Sequence, residues 1–230
     1  MAKMHIPGLI VSVQTPDRGF WQAALGVSDV ATRAPMDVSD HVRVGSITKS
    51  FTATVILQLA QEGRLGLDDP LAPYFPGVQT NQATIRQALQ LTSGIADYTT
   101  DSFLNALATA PQRVWTPAEL VDLIADEPPM FPAGTDWYYS NTNYVMLGII
   151  AEQVTGQPLG RLIAERIFTP LNMSGCSFPD ATDAGIPAPS SRGYMLSTRW
   201  DRPPSPPAPL PDLGDVTDFN PSWAAGAGQA

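Results

Sequence analysis

Four residues in this chain have the types and spacing to do chemistry together: Ser46, Lys49, Tyr139 and Asn141. Ser46 and Lys49 stand three apart in Val44-Gly45-Ser46-Ile47-Thr48-Lys49-Ser50-Phe51, where an apolar run begins that reaches Gly63. Helical residues at i and i+3 share a face, so the spacing predicts that the Ser46 hydroxyl meets the Lys49 amine in a first helical turn. A serine is a poor nucleophile until a neighbouring base takes its proton. A lysine is that base when burial and nearby positive charge lower its pKa. The positive end of the helix macrodipole would also favour an anion developing at Ser46. In Tyr138-Tyr139-Ser140-Asn141, the phenol can relay a proton, and the asparagine amide can bond the lysine or an amide substrate.

Either pair alone is weak. A Ser-x-x-Lys match arises about once by chance in a chain of this length. An N-cap serine beside a solvated lysine, or a buried tyrosine ahead of an N-cap asparagine, accounts for each just as simply. Lys49 is one of only two lysines among 13 basic residues, however, so it is not one of a crowd.

The elements that must position these groups follow from periodicity and caps. Leu9 to Val13 and Phe20 to Leu25 read as strands around the turn Thr15-Pro16-Asp17-Arg18-Gly19, a hairpin that is marginal without further cover. The Ser46 helix is apolar on nearly every side through Phe51, Val55, Ile56, Leu57, Leu59 and Ala60, which places it in a core. Gly63 suits its C′ position. Thr84 caps a short helix to Leu91, and Thr116-Pro117-Ala118-Glu119 is a capping box opening a helix to Asp126. Another helix starts at Asn141 or Thr142 and runs to Gly156; one more spans Pro158 to Phe168. Six prolines between residues 202 and 211 predict an extended surface loop. Residues 224–230 show no terminating element, and the ending reads as unfinished.

Composition excludes several classes. The chain has 230 residues, 43% hydrophobic and 15% charged, enough for a sizeable core. A net charge of −9 argues against nucleic acid, whose phosphates require basic patches. One cysteine and two histidines are too few for an internal disulfide or the usual zinc clusters, so neither metal nor cofactor is expected. Nothing approaches the length of a transmembrane helix. The first residues, followed at once by Pro7-Gly8, do not form a signal peptide. No Gly-x-Ser-x-Gly is present, and His41 just before Ser46 does not follow the usual triad orders.

The order of motifs is more specific than any one of them. Arg43 to Phe51, Leu91-Thr92-Ser93-Gly94, Phe131-Pro132-Ala133-Gly134-Thr135 with Tyr139-Ser140-Asn141-Thr142-Asn143-Tyr144, and Phe168-Thr169-Pro170-Leu171-Asn172-Met173 follow one another along the chain. This arrangement resembles the serine β-lactamase and penicillin-binding superfamily across nearly all 230 residues. It is most similar to the soluble D-alanyl-D-alanine carboxypeptidases of the Streptomyces type, with class C β-lactamases and family VIII esterases as relatives. The resemblance implies an α+β fold, an antiparallel sheet flanked by helices with a mostly helical region after the serine helix. That makes one domain over 1–230: hairpin and serine helix in 1–63, a mainly helical region in 64–200, and a proline-rich loop with a truncated return to the sheet in 201–230.

The resemblance also implies roles. Ser46 is the nucleophile of an acyl-serine hydrolase, Lys49 its proton acceptor, Tyr139 the acid/base for the leaving group, and Asn141 a contact for the substrate amide. Trp223 falls where related carboxypeptidases place an aromatic wall of the cleft; plain core packing explains it equally. Expected substrates are acyl-D-alanyl-D-alanine peptides, with β-lactams or esters as alternatives, and a non-catalytic peptidoglycan-binding or partner-binding member as a further one. An extracytoplasmic location is implied, with the cytoplasm left open. Two departures stand out: Leu91 replaces the usual histidine of the second motif, and no Lys-x-Gly or His-x-Gly triplet occurs. The missing motif belongs to a strand beside the serine that supplies an oxyanion donor. Its absence predicts that further residues, or a second chain, complete the sheet.

Overall fold

The apolar run after Lys49 folds as helix α1, Thr48–Gln61, in a computed structural model that describes residues 6–195 and 214–230. Its end is a Schellman arrangement: Gly63, at φ +70°, donates its N–H to the Ala60 carbonyl at 3.0 Å, and Arg64 donates to Leu59 at 3.0 Å. The helix is one-sided, unlike the fully buried element expected. Thr48, Lys49, Thr52, Val55, Ile56 and Leu59 are buried. Ile47 and Leu57, at 61% and 50% exposure, face outward on a stripe with Ser50, Thr54 and Gln61.

Helix α1 belongs to a compact unit made of Val44–Ala184 and Asn220–Ala230. Along the chain it holds α2 (Ile85–Leu89), α3 (Asp101–Thr109), α4 (Pro117–Asp122), α5 (Asn141–Thr155) and α6 (Leu159–Ile163), the last running into a π-helical turn, Ala164–Phe168. The capping box read at Thr116 forms with Glu119 and starts α4, which carries Pro117 in its first turn, and the cap read at Thr84 proves to be a capping box with Gln87 that starts α2. Helix α3 has no counterpart in the sequence reading. Its cap is Thr100, whose hydroxyl accepts the Phe103 N–H at 3.3 Å. The segment from Pro158 to Phe168, read as one helix, is split where α6 gives way to the wider turn.

Helix α5 is the spine of this unit. Residues 142–148 are buried without a break, as are Ile150 and Ala151, and α1, α2, α4 and α6 all contact it. The last residues, read as an unfinished end, make a 3₁₀ turn, Pro221–Ala224, followed by α7, Ala225–Gly228. Helix α7 lies against both α1 and α5. Small residues are required there: a Cβ on Gly226 would stand 2.7 Å from the Tyr144 carbonyl oxygen. The Thr52 hydroxyl donates to the Gly226 carbonyl at 2.7 Å, which ties α7 to α1.

A second compact unit takes the other described residues, 6–43, 185–195 and 214–219. The predicted hairpin is present as β1 (Gly8–Thr15) paired antiparallel with β2 (Gly19–Gly26), in register from Gly8↔Gly26 to Thr15↔Gly19. Gly19, at φ +77°, provides the backbone that closes the turn. Phe20 and Trp21 are 64% and 57% exposed, so the hairpin shows apolar side chains to water. Strands β3 (Tyr194–Met195) and β4 (Gly214–Asp215) make a second antiparallel pair. The loop expected over 202–211 lies outside the described residues. Among the described residues no helix is long and apolar enough to cross a membrane.

Gly226→Ala is expected to destabilise the protein by about 1–3 kcal/mol, because the added methyl meets backbone rather than a movable side chain. Urea unfolding checks this; an unchanged midpoint would mean that α7 is not clamped between its neighbours.

Candidate active site

Ser46 sits in a 3₁₀ turn, Gly45–Ile47, rather than inside the helix. Gly45 is at φ +52°, and Thr48 donates its N–H back to Gly45 and Ser46 as the turn passes into α1. Lys49 lies in the first turn of α1, three residues on from Ser46, so the passage from 3₁₀ turn to helix still leaves the two side chains together. The turn is held at its entry by the Val44 N–H to the Ala230 carbonyl, and by the Ala230 N–H to the Thr48 hydroxyl, each 3.1 Å. Ser46 is exposed and Lys49 is buried, at 8%.

The Lys49 ammonium is surrounded by acceptors from three parts of the chain. Its Nζ donates to Ser46 Oγ at 3.1 Å, to Asn141 Oδ1 at 2.7 Å and to the Ala227 carbonyl of α7 at 2.8 Å. The rings of Tyr139 and Tyr144 stand 4.8 and 5.7 Å away. Burial holds its pKa below the usual 10.5; the Tyr139 hydroxyl and the Asp97 carboxylate act in the opposite direction without reversing the shift. Relative to a solvated lysine, this shifts the balance toward the neutral amine, the form able to take a proton.

Tyr139 OH lies 2.6 Å from Ser46 Oγ. The loop that carries it is laid along residues 91–94. Tyr138 donates its N–H to the Leu91 carbonyl at 3.1 Å, Gly134 to Thr92 at 2.7 Å, and Met130 to Gly94 at 2.9 Å. Gly94 is at φ +74°, and a Cβ there would lie 2.2 Å from the Phe131 carbonyl oxygen. Leu91 serves this ladder through its carbonyl, which any residue supplies, so the departure from histidine leaves the support of the tyrosine loop in place.

Asn141 begins α5 without acting as its cap. Its side chain turns back to Lys49, and the cap residue Ser140 makes no capping side-chain bond. The Asn141 N–H is taken instead by Asp97 Oδ1 at 3.1 Å, and Asn141 Nδ2 donates to Asp97 Oδ2 at 3.3 Å and to Thr99 Oγ1 at 3.3 Å. Sequence reasoning missed Asp97, Thr99 and the Ala227 carbonyl. The available signal was the start of α5: without a capping box, its first N–H groups require acceptors from elsewhere. Trp223 packs its ring 6.4 Å from Phe103, and its carbonyl accepts from Tyr98 OH at 2.6 Å, so it takes part in an aromatic cluster. A cavity of about 490 Å³ is lined by Val145, Leu159, Phe178, Gly226 and Gln229 among others, and by none of Ser46, Lys49, Tyr139 and Asn141.

A serine flanked by a buried amine and a phenol, on elements in this order, invites comparison with known proteins. Residues 1–229 match the family described as Beta-lactamase. The chain belongs to that family. Penicillin-binding protein 4* of Bacillus subtilis is 30% identical over 75% of the chain. Among solved structures, the D-stereospecific amidohydrolase from a Streptomyces species aligns with TM-score 0.83 at 36% identity, covering 97% of this chain and 64% of that one. The D-amino acid amidase from Ochrobactrum anthropi SV3, complexed with L-phenylalanine amide, aligns with TM-score 0.82 at 28% identity, covering 99% and 63%. The α+β reading of the beta-lactamase fold holds. The chain spans 36% to 38% of the length of curated relatives that it matches.

The lowered pKa of Lys49 sets a pH dependence of stability. The folded amine releases its proton at lower pH than the unfolded one, so between those values the unfolded state binds more protons. Stability from this group therefore rises with pH through that window, up to the unfolded value near 10.5. Unfolding free energies of the wild type and of Lys49→Met are expected to diverge in favour of the wild type as pH climbs; parallel curves would mean that burial does not disfavour the ammonium.

Proposed function

We propose that these residues are the nucleophile-bearing part of a serine hydrolase that cleaves an amide bond through an acyl-serine intermediate. The observation that carries this is Ser46 Oγ held between Lys49 Nζ, at 3.1 Å, and Tyr139 OH, at 2.6 Å. A nucleophile so placed has a proton acceptor and a proton donor within reach before substrate arrives.

In this reading the neutral Lys49 amine takes the Oγ proton as Oγ attacks the substrate carbonyl. The carbon–nitrogen bond breaks as Tyr139 protonates the departing amine, and the proton on Lys49 restores the phenol. Water then attacks the acyl-serine, with the same groups moving protons in reverse. Net, the bond is hydrolysed and no proton is left on the enzyme. Asn141 has its amide oxygen on Lys49, so its part before substrate binds is to hold the base. On the family pattern, an oxyanion donor belongs to the strand whose Lys/His-Thr-Gly motif is absent from these 230 residues, and losing such a donor typically costs about a hundredfold or more in rate.

The names of the D-stereospecific amidohydrolase and the D-amino acid amidase point to an amide bond beside a D-residue. D-alanyl-D-alanine peptides are the substrates we favour for the family pattern. D-amino acid amides are the second reading, supported by the alignments with the D-stereospecific amidohydrolase and the D-amino acid amidase. A binding protein without turnover would keep the cleft and lack the reactive serine.

The full-length protein, incubated with a β-lactam or a p-nitrophenyl ester, is expected to carry the acyl group on Ser46 by peptide mass mapping. An adduct elsewhere, or turnover unchanged in Ser46→Ala, would refute the assignment. Lys49→Arg is expected to lose acylation by a few orders of magnitude, since a guanidinium keeps its proton; full acylation in that variant would remove Lys49 from the role of base.

A further inference from the structure

Asp97 lies in the stretch after Gly94, and its carboxylate gathers donors from two directions. Oδ1 accepts the Asn141 N–H at 3.1 Å and the Thr99 N–H at 3.4 Å. Oδ2 accepts the Thr99 hydroxyl and, at 3.3 Å, Asn141 Nδ2. Thr99 Oγ1 takes a further hydrogen from Asn141 Nδ2 at 3.3 Å. The surrounding residues fix this segment to the start of α5: the Ala96 carbonyl accepts from the hydroxyls of Ser140, at 3.1 Å, and Thr142, at 2.7 Å. The Tyr98 N–H completes the attachment, donating to Thr142 Oγ1 at 3.1 Å.

An ionised carboxylate only accepts hydrogen bonds, and a primary amide has one donating and one accepting end. With the carboxylate on one side of Asn141, the NH₂ end must face it. The oxygen is then left for the other side, where Lys49 Nζ lies 2.7 Å away. An amide turned the other way would place donor against donor at Lys49 and acceptor against acceptor at Asp97.

We infer that Asp97 is a positioning residue for Lys49: it sets the orientation of the Asn141 amide, and so supplies the lysine with an acceptor it would otherwise lack. This rests on the reading of Lys49 as the base, and it adds a residue that touches neither serine nor substrate. The charge of Asp97 also reaches Lys49, opposing the effect of burial. The titratable groups around the amine are thus Tyr139, Tyr144 and Asp97, while α7 offers only the Ala227 carbonyl. Burial alone would favour a freely neutral lysine; the chain from Asp97 through Asn141 moderates that, keeping the amine basic enough to hold the proton it takes.

Asp97→Asn tests the inference in the full-length protein. The variant keeps an oxygen for the Asn141 N–H, so the start of α5 stays capped, while its own NH₂ opposes that of Asn141. Loss of the charge and of the set amide both disfavour the ammonium. The Lys49 Nζ titration, followed by nitrogen NMR, is expected to move to lower pH by about half a unit or more. The rising limb of the Ser46 acylation rate against pH should move the same way, with the plateau about tenfold lower or further. An unmoved titration overturns the inference, whatever happens to melting temperature, because a merely structural aspartate would lower stability and leave Lys49 where it was. If the wild type takes no acyl group at Ser46, the hydrolase reading fails, while the NMR shift still decides the role of Asp97.

Discussion

Lys49 is taken out of water, and much of the helical unit is arranged to make that tolerable. Moving an ammonium into a protein interior costs several kcal/mol before any partner is counted. The partners here come from separate elements: a serine one turn earlier, the amide oxygen that opens α5, and a carbonyl of α7. They satisfy the donors without cancelling the burial, since Asp97, the carboxylate in reach among the described residues, acts through an intervening asparagine. The outcome is a lysine tilted toward its neutral form and pressed against a hydroxyl. Direct pairing with a carboxylate would have stabilised the ammonium and opposed that tilt.

That constraint explains features remote from the serine. Helix α7 must approach α1 closely enough for its carbonyls to reach Thr52 and Lys49, which is why glycines and alanines occupy it and why Gly226 admits no Cβ. Helix α5 must start at a fixed place, so its first residues are bonded to residues 96–99 rather than capped by Ser140. The tyrosine loop needs a backbone rail, which residues 91–94 provide, with a glycine where the Phe131 carbonyl comes nearest.

The sequence made local chemistry legible and left distant contacts hidden. Ser46 and Lys49 lie three residues apart where a 3₁₀ turn passes into α1, so local spacing was enough to pair them. The cap at Thr84, the capping box at Thr116 and the Gly63 stop are local too, and formed where they were read. Tyr139 and Asn141 joined the pair only through motif order, because 93 residues separate Ser46 from Tyr139 and no periodicity reports a contact of that range. Asp97 was invisible for the same reason: an aspartate two residues before a threonine reads as an ordinary turn. Helix α7 escaped because alanine and glycine carry no amphipathic pattern, their value being smallness at a close approach. The one-sided exposure of α1 was equally unreadable, since Ile47 and Leu57 are as apolar as the residues that are buried.

The most direct test of this account is the protonation of Lys49 itself. These 230 residues contain only Lys3 and Lys49, so selective nitrogen labelling of lysine, with Lys49→Met as the assignment control, isolates a single side-chain resonance to follow with pH. The account predicts a midpoint clearly below the usual 10.5. A Lys49 midpoint at or above it would mean that the surrounding acceptors outweigh burial, and that this lysine is not poised to take a proton from Ser46.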